Sequence, residues 1–403
     1  MKKGGCPMLI EKIAKLSDEL EKHYLEVRHD LHAHPELSYK EFRTSQKVQD
    51  ELRRMGISFV LSPVKPGVIA TIDSGKPGKL LLLRADMDAL PIQETTDLPY
   101  ASQCDGIMHA CGHDVHTTNL LAVCDILNRT KDQWKGRVRA VFQPAEENGG
   151  GGREMIKAGL MEEKPDACMG MHVGAWTPGV LSIGEGYVSA YSDAEYITVH
   201  GKAVHSSKPE KGVDAVLIAA SIVVALNTIC SRNISPMAQS TLNVGTIHGG
   251  TAVNVVTDKV EIGAMLRNAD PDSRENMFQK IEQISRGIAE GMGGSVDLQR
   301  HYGYSSVYND PGVTHFAIET IRKNQEALYQ GIGDVPKENI LTGNQMQLGA
   351  EDFGFYSHEA PSCFIKVGTG GPSLNHTPTF QVEEKYIKLM TRTMALLAEE
   401  FLQ

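Results

Sequence analysis

The segment Met108 to Thr118, MHACGHDVHTT, gathers a cysteine, three histidines and an aspartate into a few residues. Thiolate, imidazole and carboxylate are the donors preferred by zinc and the neighbouring divalent metals. The same donor types recur downstream: Glu146-Glu147 in FQPAEENGGGG, His172 in GMH and His376 in NHTP, with Asp86 and Asp88 earlier in RADMDALP. Together they exceed the needs of one closed tetrahedral site. An adjacent pair of glutamates also offers a division of labour, in which one binds metal and the other acts as a base. Two ions a few ångström apart would clamp a water and polarise a carbonyl. Isolated histidines such as His23, His248 and His301 have no such company and are given no role.

Such residues must be brought together by the fold. Short apolar runs at Val68 to Ile72, Leu80 to Leu83, Val138 to Phe142 and Ala167 to Met171 alternate with helical stretches, the rhythm of βα units around a parallel sheet buried on both faces. In such sheets ligands bind beyond the carboxyl ends of the strands. That is where the acids and imidazoles stand: Asp86 and Asp88 after the second run, Glu146 and Glu147 after the third, His172 after the fourth, and His376 beyond a later strand at Cys363 to Val367. Ahead of the sheet, apolar residues at helical spacing predict a helix over Leu9 to Leu31. Ser38 followed by Glu41 reads as a capping box for a second helix ending at Gly56.

Between Ser189 and Gly303 the pattern changes to strand, helix, two strands, helix, strand, a βαββαβ order that forms a sandwich in its own right. We therefore expect an α/β catalytic domain, residues 1–188 and 304–403, with a largely parallel mixed sheet covered by helices. An α+β domain, residues 189–303, is expected as an insertion in it.

Composition narrows the function. The 403 residues are 41% hydrophobic and 22% charged, enough for two cores, and the net charge of −10 gives no footprint for nucleic acid or an anionic membrane. No run approaches the ~20 apolar residues of a membrane span. The start, MKKGGCPMLIEKIAKL, lacks the apolar core of a signal peptide. Seven scattered cysteines do not form a disulfide framework, so a reducing cytoplasm is expected.

The motifs RADMDALPIQE, MHACGHDVHTT, FQPAEENGGGG, GMH and NHTP, in this order across nearly the whole chain, resemble the amidohydrolase branch of the M20 metallopeptidase family. Its members include aminoacylases, hippurate hydrolases, N-acetyldiaminopimelate deacetylases and plant indole-acetyl-amino-acid hydrolases. The resemblance implies that Cys111, His113, Glu147, His172 and His376 bind two divalent ions, with zinc the expected metal and manganese, cobalt or nickel the alternatives. It implies Glu146 as general base and Asp88 as the acid that orients a ligand, with Asp86 an alternative for that role. It further implies that the inserted domain is a lid that also forms a homodimer contact. There, His205 in GKAVHSS would reach the active site of the partner subunit to steady the oxyanion, while Asn254 and Arg267 would hold the substrate, Arg267 by the substrate's carboxylate.

Two departures stand out. Relatives usually have GKGGHA where this chain has Gly201-Lys-Ala-Val-His-Ser206, and Arg-Thr where it has Arg267-Asn268. Bulkier Ala203 and Val204 bear on substrate identity more than on chemistry. The expected reaction is hydrolysis of an N-acyl amino acid. A dipeptidase or carboxypeptidase of the same family is the runner-up, and a catalytically silent metal-binding scaffold the reading from another class.

Overall fold

The computed structural model describes residues 9–333, 335–343 and 346–403; Cys6 lies outside them. Two compact units are present, one formed by the chain up to Gly186 with Tyr308–Gln345 and Phe355–Gln403, the other by Tyr187–Val307 with Met346–Gly354. The segment Met346–Gly354, which the sequence pattern leaves with the first unit, thus packs with the second.

In chain order the strands used below are β1 (Ser58–Leu61), β2 (Val68–Asp73), β3 (Leu80–Asp86), β4 (Arg137–Gln143), β5 (Ala167–Gly174), β6 (Leu181–Ile183), β7 (Tyr191–His200), β8 (Val204–His205), β9 (Ser240–Gly249), β10 (Val255–Val256), β11 (Lys259–Asn268), β12 (Ser295–Tyr304), β13 (Ile340–Thr342) and β14 (Ser362–Gly368). The helices used below are α1 (Leu9–Ala33), α2 (Phe42–Met55), α3 (His113–Arg129), α4 (Gly151–Met155), α5 (Ala215–Leu226), α6 (Pro271–Gly291), α7 (Pro311–Lys323) and α8 (Lys385–Phe401).

The first unit holds a mixed sheet in the order β1-β2-β4-β3-β5-β14-β6-β13. Its centre is parallel, β4, β3, β5 and β14 running the same way. Every residue of β3 is buried, as the unbroken LLLL run requires. Each such leucine taken out of water stabilises the fold by about 1.5–3 kcal/mol. Helix α3 is buried along almost its whole length, packed against β3 on one side and against α1 and α8 on the other. It carries His113 as its first residue, and its N-terminus is therefore fixed by the core.

The second unit is a four-stranded antiparallel sheet, β9-β11-β7-β12, covered by α5 and α6. A separate core of Ile197, Val199, Ile218, Ile222, Phe278 and their neighbours lies between sheet and helices. A small two-stranded ribbon, β8 with β10, was not evident from periodicity because each strand is only two residues long.

Candidate metal centre

Asp88 organises the edge of the sheet. Its buried carboxylate accepts the backbone N–H of Glu146 (3.0 Å) through one oxygen, and the N–H of Glu147 (3.0 Å) and the Ser38 hydroxyl (2.6 Å) through the other. The preceding Ala145 sits at φ +56, in the left-handed region that side chains rarely adopt, and donates its N–H to buried Glu41 (2.7 Å). The Glu146-Glu147 turn is thus held by two acids from elsewhere in the chain. Burial, and then the neighbouring Asp88 charge, push the Glu41 carboxyl up to about 8.

The capping box expected of Ser38 and Glu41 does not form. Both side chains are drawn to Asp88 and Ala145, and Glu36 instead accepts the first N–H groups of α2, from Arg43 and Thr44. A tertiary demand for acceptors has overridden the local pattern.

Cys111 and His113 flank Gly112, whose φ of +82 makes the tight entry into α3. A Cβ there would lie 2.4 Å from Val173 Cγ2, so glycine is required by space as well as by conformation. His376 is also left-handed, at φ +63, and is pinned by its N–H to the Ala110 carbonyl (2.8 Å). Non-glycine residues held this way cluster at functional sites.

The donors converge in two overlapping sets. Ligand atoms of Cys111, His113 and His172 lie within 4.8 Å of one another, and so do those of Cys111, Glu147 and His376. Cys111 belongs to both. Its Sγ is 3.5 Å from His172 Nε2 and 3.2 Å from His376 Nε2, while Glu147 Oε1 is 3.3 Å from His376 Nε2 and 3.8 Å from His113 Nε2. Donors at ~2.0–2.3 Å from a tetrahedral ion stand roughly 3.3–3.8 Å apart, so these separations suit zinc-like coordination. Glu146 joins His113 and Glu147 in a third group of the same compactness.

Three further observations fit a cation. His113 Nε2 and Glu147 Oε1 are buried polar atoms without a hydrogen-bond partner, a state that costs about 1–3 kcal/mol each and that an ion between them would relieve. Burial, then the Glu147 charge, hold the Cys111 thiol well above its usual range. Burial alone would lower His113, yet Asp86 and Cys111 hold it well above the usual imidazole value. Acid and thiol compete here for positive charge, and a divalent ion supplies it. His172 donates Nδ1–H to the Val173 carbonyl (2.6 Å), which turns Nε2 towards Cys111, the arrangement typical of a metal-ligating histidine.

Asp86 and Asp88 prove separable. Asp88 Oδ1 stands 3.3 Å from His113 Nδ1, whereas Asp86 is engaged by His116 (2.6 Å) and lies 3.8 Å from His113. Sequence reasoning gave no site role to His116, Asn375, Ser38 or Glu41, although His116 and Asn375 stand inside the quoted motifs MHACGHDVHTT and NHTP and Ser38 and Glu41 were read only as a helix cap.

His205, Asn254 and Arg267 belong to the second unit. His205 on β8 faces Val255 of β10 in register, the Ser206 N–H bonds the Asn254 carbonyl (2.9 Å), and His205 and Asn254 are both exposed. His205 Nδ1 contacts the Ser207 hydroxyl (2.8 Å). Arg267 lies on β11 with its Nη1 buried and lacking a hydrogen-bond partner, as suits a group awaiting an anion.

A parallel-centred sheet whose strand ends gather thiol, imidazole and carboxylate within 4.8 Å of one another has the donor set of a divalent-metal protein. The chain belongs to the peptidase family M20/M25/M40, whose model matches residues 82–400. It is 35% identical to thermostable carboxypeptidase 1 of Saccharolobus solfataricus over 98% of this chain and 99% of that one. It is 34% identical to N-acetylcysteine deacetylase of Bacillus subtilis, over 93% and 95%. A crystallised Bacillus subtilis protein, YXEP, described as a dinuclear metal binding peptidase from the M20 family, superposes with a TM-score of 0.83 at 31% identity, covering 96% of this chain and 99% of that one. The chain is accordingly a hydrolytic enzyme that acts on amide bonds with divalent metal ions. None of its described helices is long and apolar enough to cross a membrane.

Proposed function

We propose that the protein hydrolyses the amide of N-acyl amino acids, using two divalent ions held by Cys111, His113, Glu147, His172 and His376. The observation that carries this reading is the pair of donor sets sharing Cys111 beside the Glu146-Glu147 turn. The similarity to N-acetylcysteine deacetylase supports an acyl amino acid as substrate. When bound, the ions supply the positive charge that acidifies a water and polarises the amide carbonyl. Zinc fits the thiolate and imidazoles best, with manganese, cobalt or nickel decided by availability.

The chain's own residues do the rest. Glu146 accepts the proton of the attacking water and returns it to the departing nitrogen, because an amine leaves only when protonated. Asp88 holds the backbone of Glu146 and Glu147 and orients His113. His205 donates to the developing oxyanion, a contribution of about 3–4 kcal/mol per donor in other hydrolases. Asn254 and Arg267 hold the substrate, with Arg267 gripping the carboxylate.

The second unit is proposed as a lid and as the contact of a homodimer. Val216, Leu217 and Val224 on α5 are 47%, 54% and 72% exposed on a helix with no charged residue, and β9 leaves its outer edge unpaired within its sheet. A second copy of the chain would cover both. The described cysteines are all unpaired thiols, in keeping with a cytoplasmic enzyme.

The similarity to a carboxypeptidase favours a second reading, cleavage of a peptide by the same machinery. A hydrolysis screen of N-acetyl and N-benzoyl amino acids against dipeptides, on metal-reconstituted enzyme, separates the two. Faster turnover of the acyl amino acids is expected. Preference for dipeptides selects the peptidase, and tight metal with no hydrolysis of either selects a silent scaffold.

A further inference from the structure

Beneath the metal centre runs a buried chain of polar contacts that belongs to none of the roles above. Tyr356 donates its hydroxyl to Gln143 Oε1 (2.9 Å), and Arg84 Nε donates to the same oxygen (3.0 Å). Arg84 then pairs with Asp86, which also accepts Nδ1–H of His116 (2.6 Å). His116 in turn accepts the backbone N–H of Val173 through Nε2 (2.9 Å). The imidazole is thereby fixed as one tautomer, proton on Nδ1 and lone pair on Nε2, with both ends used inside the protein. A histidine so engaged is no ligand, although it lies one helical turn from His113 and its ring centroid is 4.6 Å from that of His172.

Val173 is where these contacts meet the donors. Its N–H is held by His116, and its carbonyl accepts from His172 Nδ1 (2.6 Å) and Asn375 Nδ2 (3.2 Å). One peptide therefore sets the ring of His172 and anchors the residue before His376. Its isopropyl group also packs against Gly112, between Cys111 and His113. The bond from His116 joins the end of β5 to α3 and, through Asp86, to the end of β3.

We propose that His116 is the positioning residue of the metal centre: by tethering Val173, it sets the distance of His172 from Cys111 and His113. This rests on the reading of those residues as metal ligands. Outer partners of ligands typically alter metal affinity by 10- to 100-fold when removed.

Two substitutions divide the two functions of the ring. His116→Asn keeps a donor near the Nδ1 position for Asp86 but offers nothing to Val173, while His116→Gln keeps an acceptor near the Nε2 position. Zn2+ affinity is measured by competition with a chromophoric chelator, and the visible spectrum of the Co2+-loaded protein reports ligand geometry. Circular dichroism of the metal-free proteins checks folding. The Asn variant is expected to lose 10- to 100-fold in Zn2+ affinity and to show an altered Co2+ spectrum, the Gln variant to stay within about threefold of the wild type. An Asn variant that fails to fold beside a Gln variant that binds normally supports the same assignment, since only Gln, one methylene longer, brings an acceptor to the Val173 N–H. Wild-type affinity in the Asn variant, or equal loss in both, overturns it. Absence of Zn2+ binding by the wild-type protein would instead overturn the ligand reading on which it stands.

Discussion

Replacement of Gly112 by alanine tests the geometry most directly. The glycine holds φ +82, where a Cβ costs about 1–2 kcal/mol of backbone strain. The new methyl would also stand 2.4 Å from Val173 Cγ2, where ordinary contact begins at 3.4 Å, so the Cys111–His113 turn and the end of β5 must separate by about 1 Å. A displacement of that size at a reacting centre can cost on the order of 10²-fold in rate. We therefore expect Gly112→Ala to lower kcat/KM for the best acyl amino acid about a hundredfold, with weaker metal binding. Gly56→Ala provides the control: its φ is +67 but a Cβ there meets nothing within 4 Å, so it bears strain without collision and should leave catalysis intact. Adding Val173→Ala to Gly112→Ala removes the colliding methyl while keeping the Val173 backbone bonds, and should recover at least tenfold of the loss. Wild-type kcat/KM in Gly112→Ala, or a double variant no better than the single one, would refute the steric account.

Three other outcomes follow from the same structure. Glu146→Ala should retain metal yet lose about 10²- to 10⁴-fold in kcat, and mixing it with His205→Ala should restore activity if the histidine serves the neighbouring copy; no recovery on mixing removes that sharing. Arg267→Ala should raise KM for acyl amino acids about 10- to 100-fold, a difference that disappears with substrates whose carboxylate is amidated. Burial lowers His32, but contact with Asp114 more than compensates and raises it to about 9, so its ion pair adds stability below pH ~6.5 that is lost as pH rises through 9. The unfolding free energy of wild type should exceed that of His32→Gln most at pH 6, by at most about 3 kcal/mol, and the excess should fall away by pH 10; a gap independent of pH would contradict the ionised pair.

The sheet was legible because its strands are unbroken apolar runs, and the donors were legible because Cys111 and His113 are scarce types set two residues apart while the acids and His172 follow those runs closely. The second unit announced itself by a change of period. What sequence could not supply was the supporting layer. Ser38 and Glu41 carry a strong local signal for a helix cap, yet Asp88 and Ala145 claim them, and nothing in neighbouring residues encodes that long-range choice. His116 shares the type and the segment of a ligand, and its role shows only when Val173 and Asp86 are seen at its two nitrogens. Gly149 to Gly152 reads as a flexible turn, whereas Gly151 is packed so closely that a Cβ would lie 1.8 Å from the Pro144 carbonyl.

The position of β14 in the middle of the sheet, beside β5, has a consequence for synthesis. The ribosome makes β5 long before β14, with all of the second unit emerging in between, so a nascent chain presents an apolar strand with an open side for nearly half of its translation. Chaperone dependence and aggregation of fragments ending before Ser362 are the expected cost. His376 arrives later still, which postpones metal capture until the polypeptide is nearly complete.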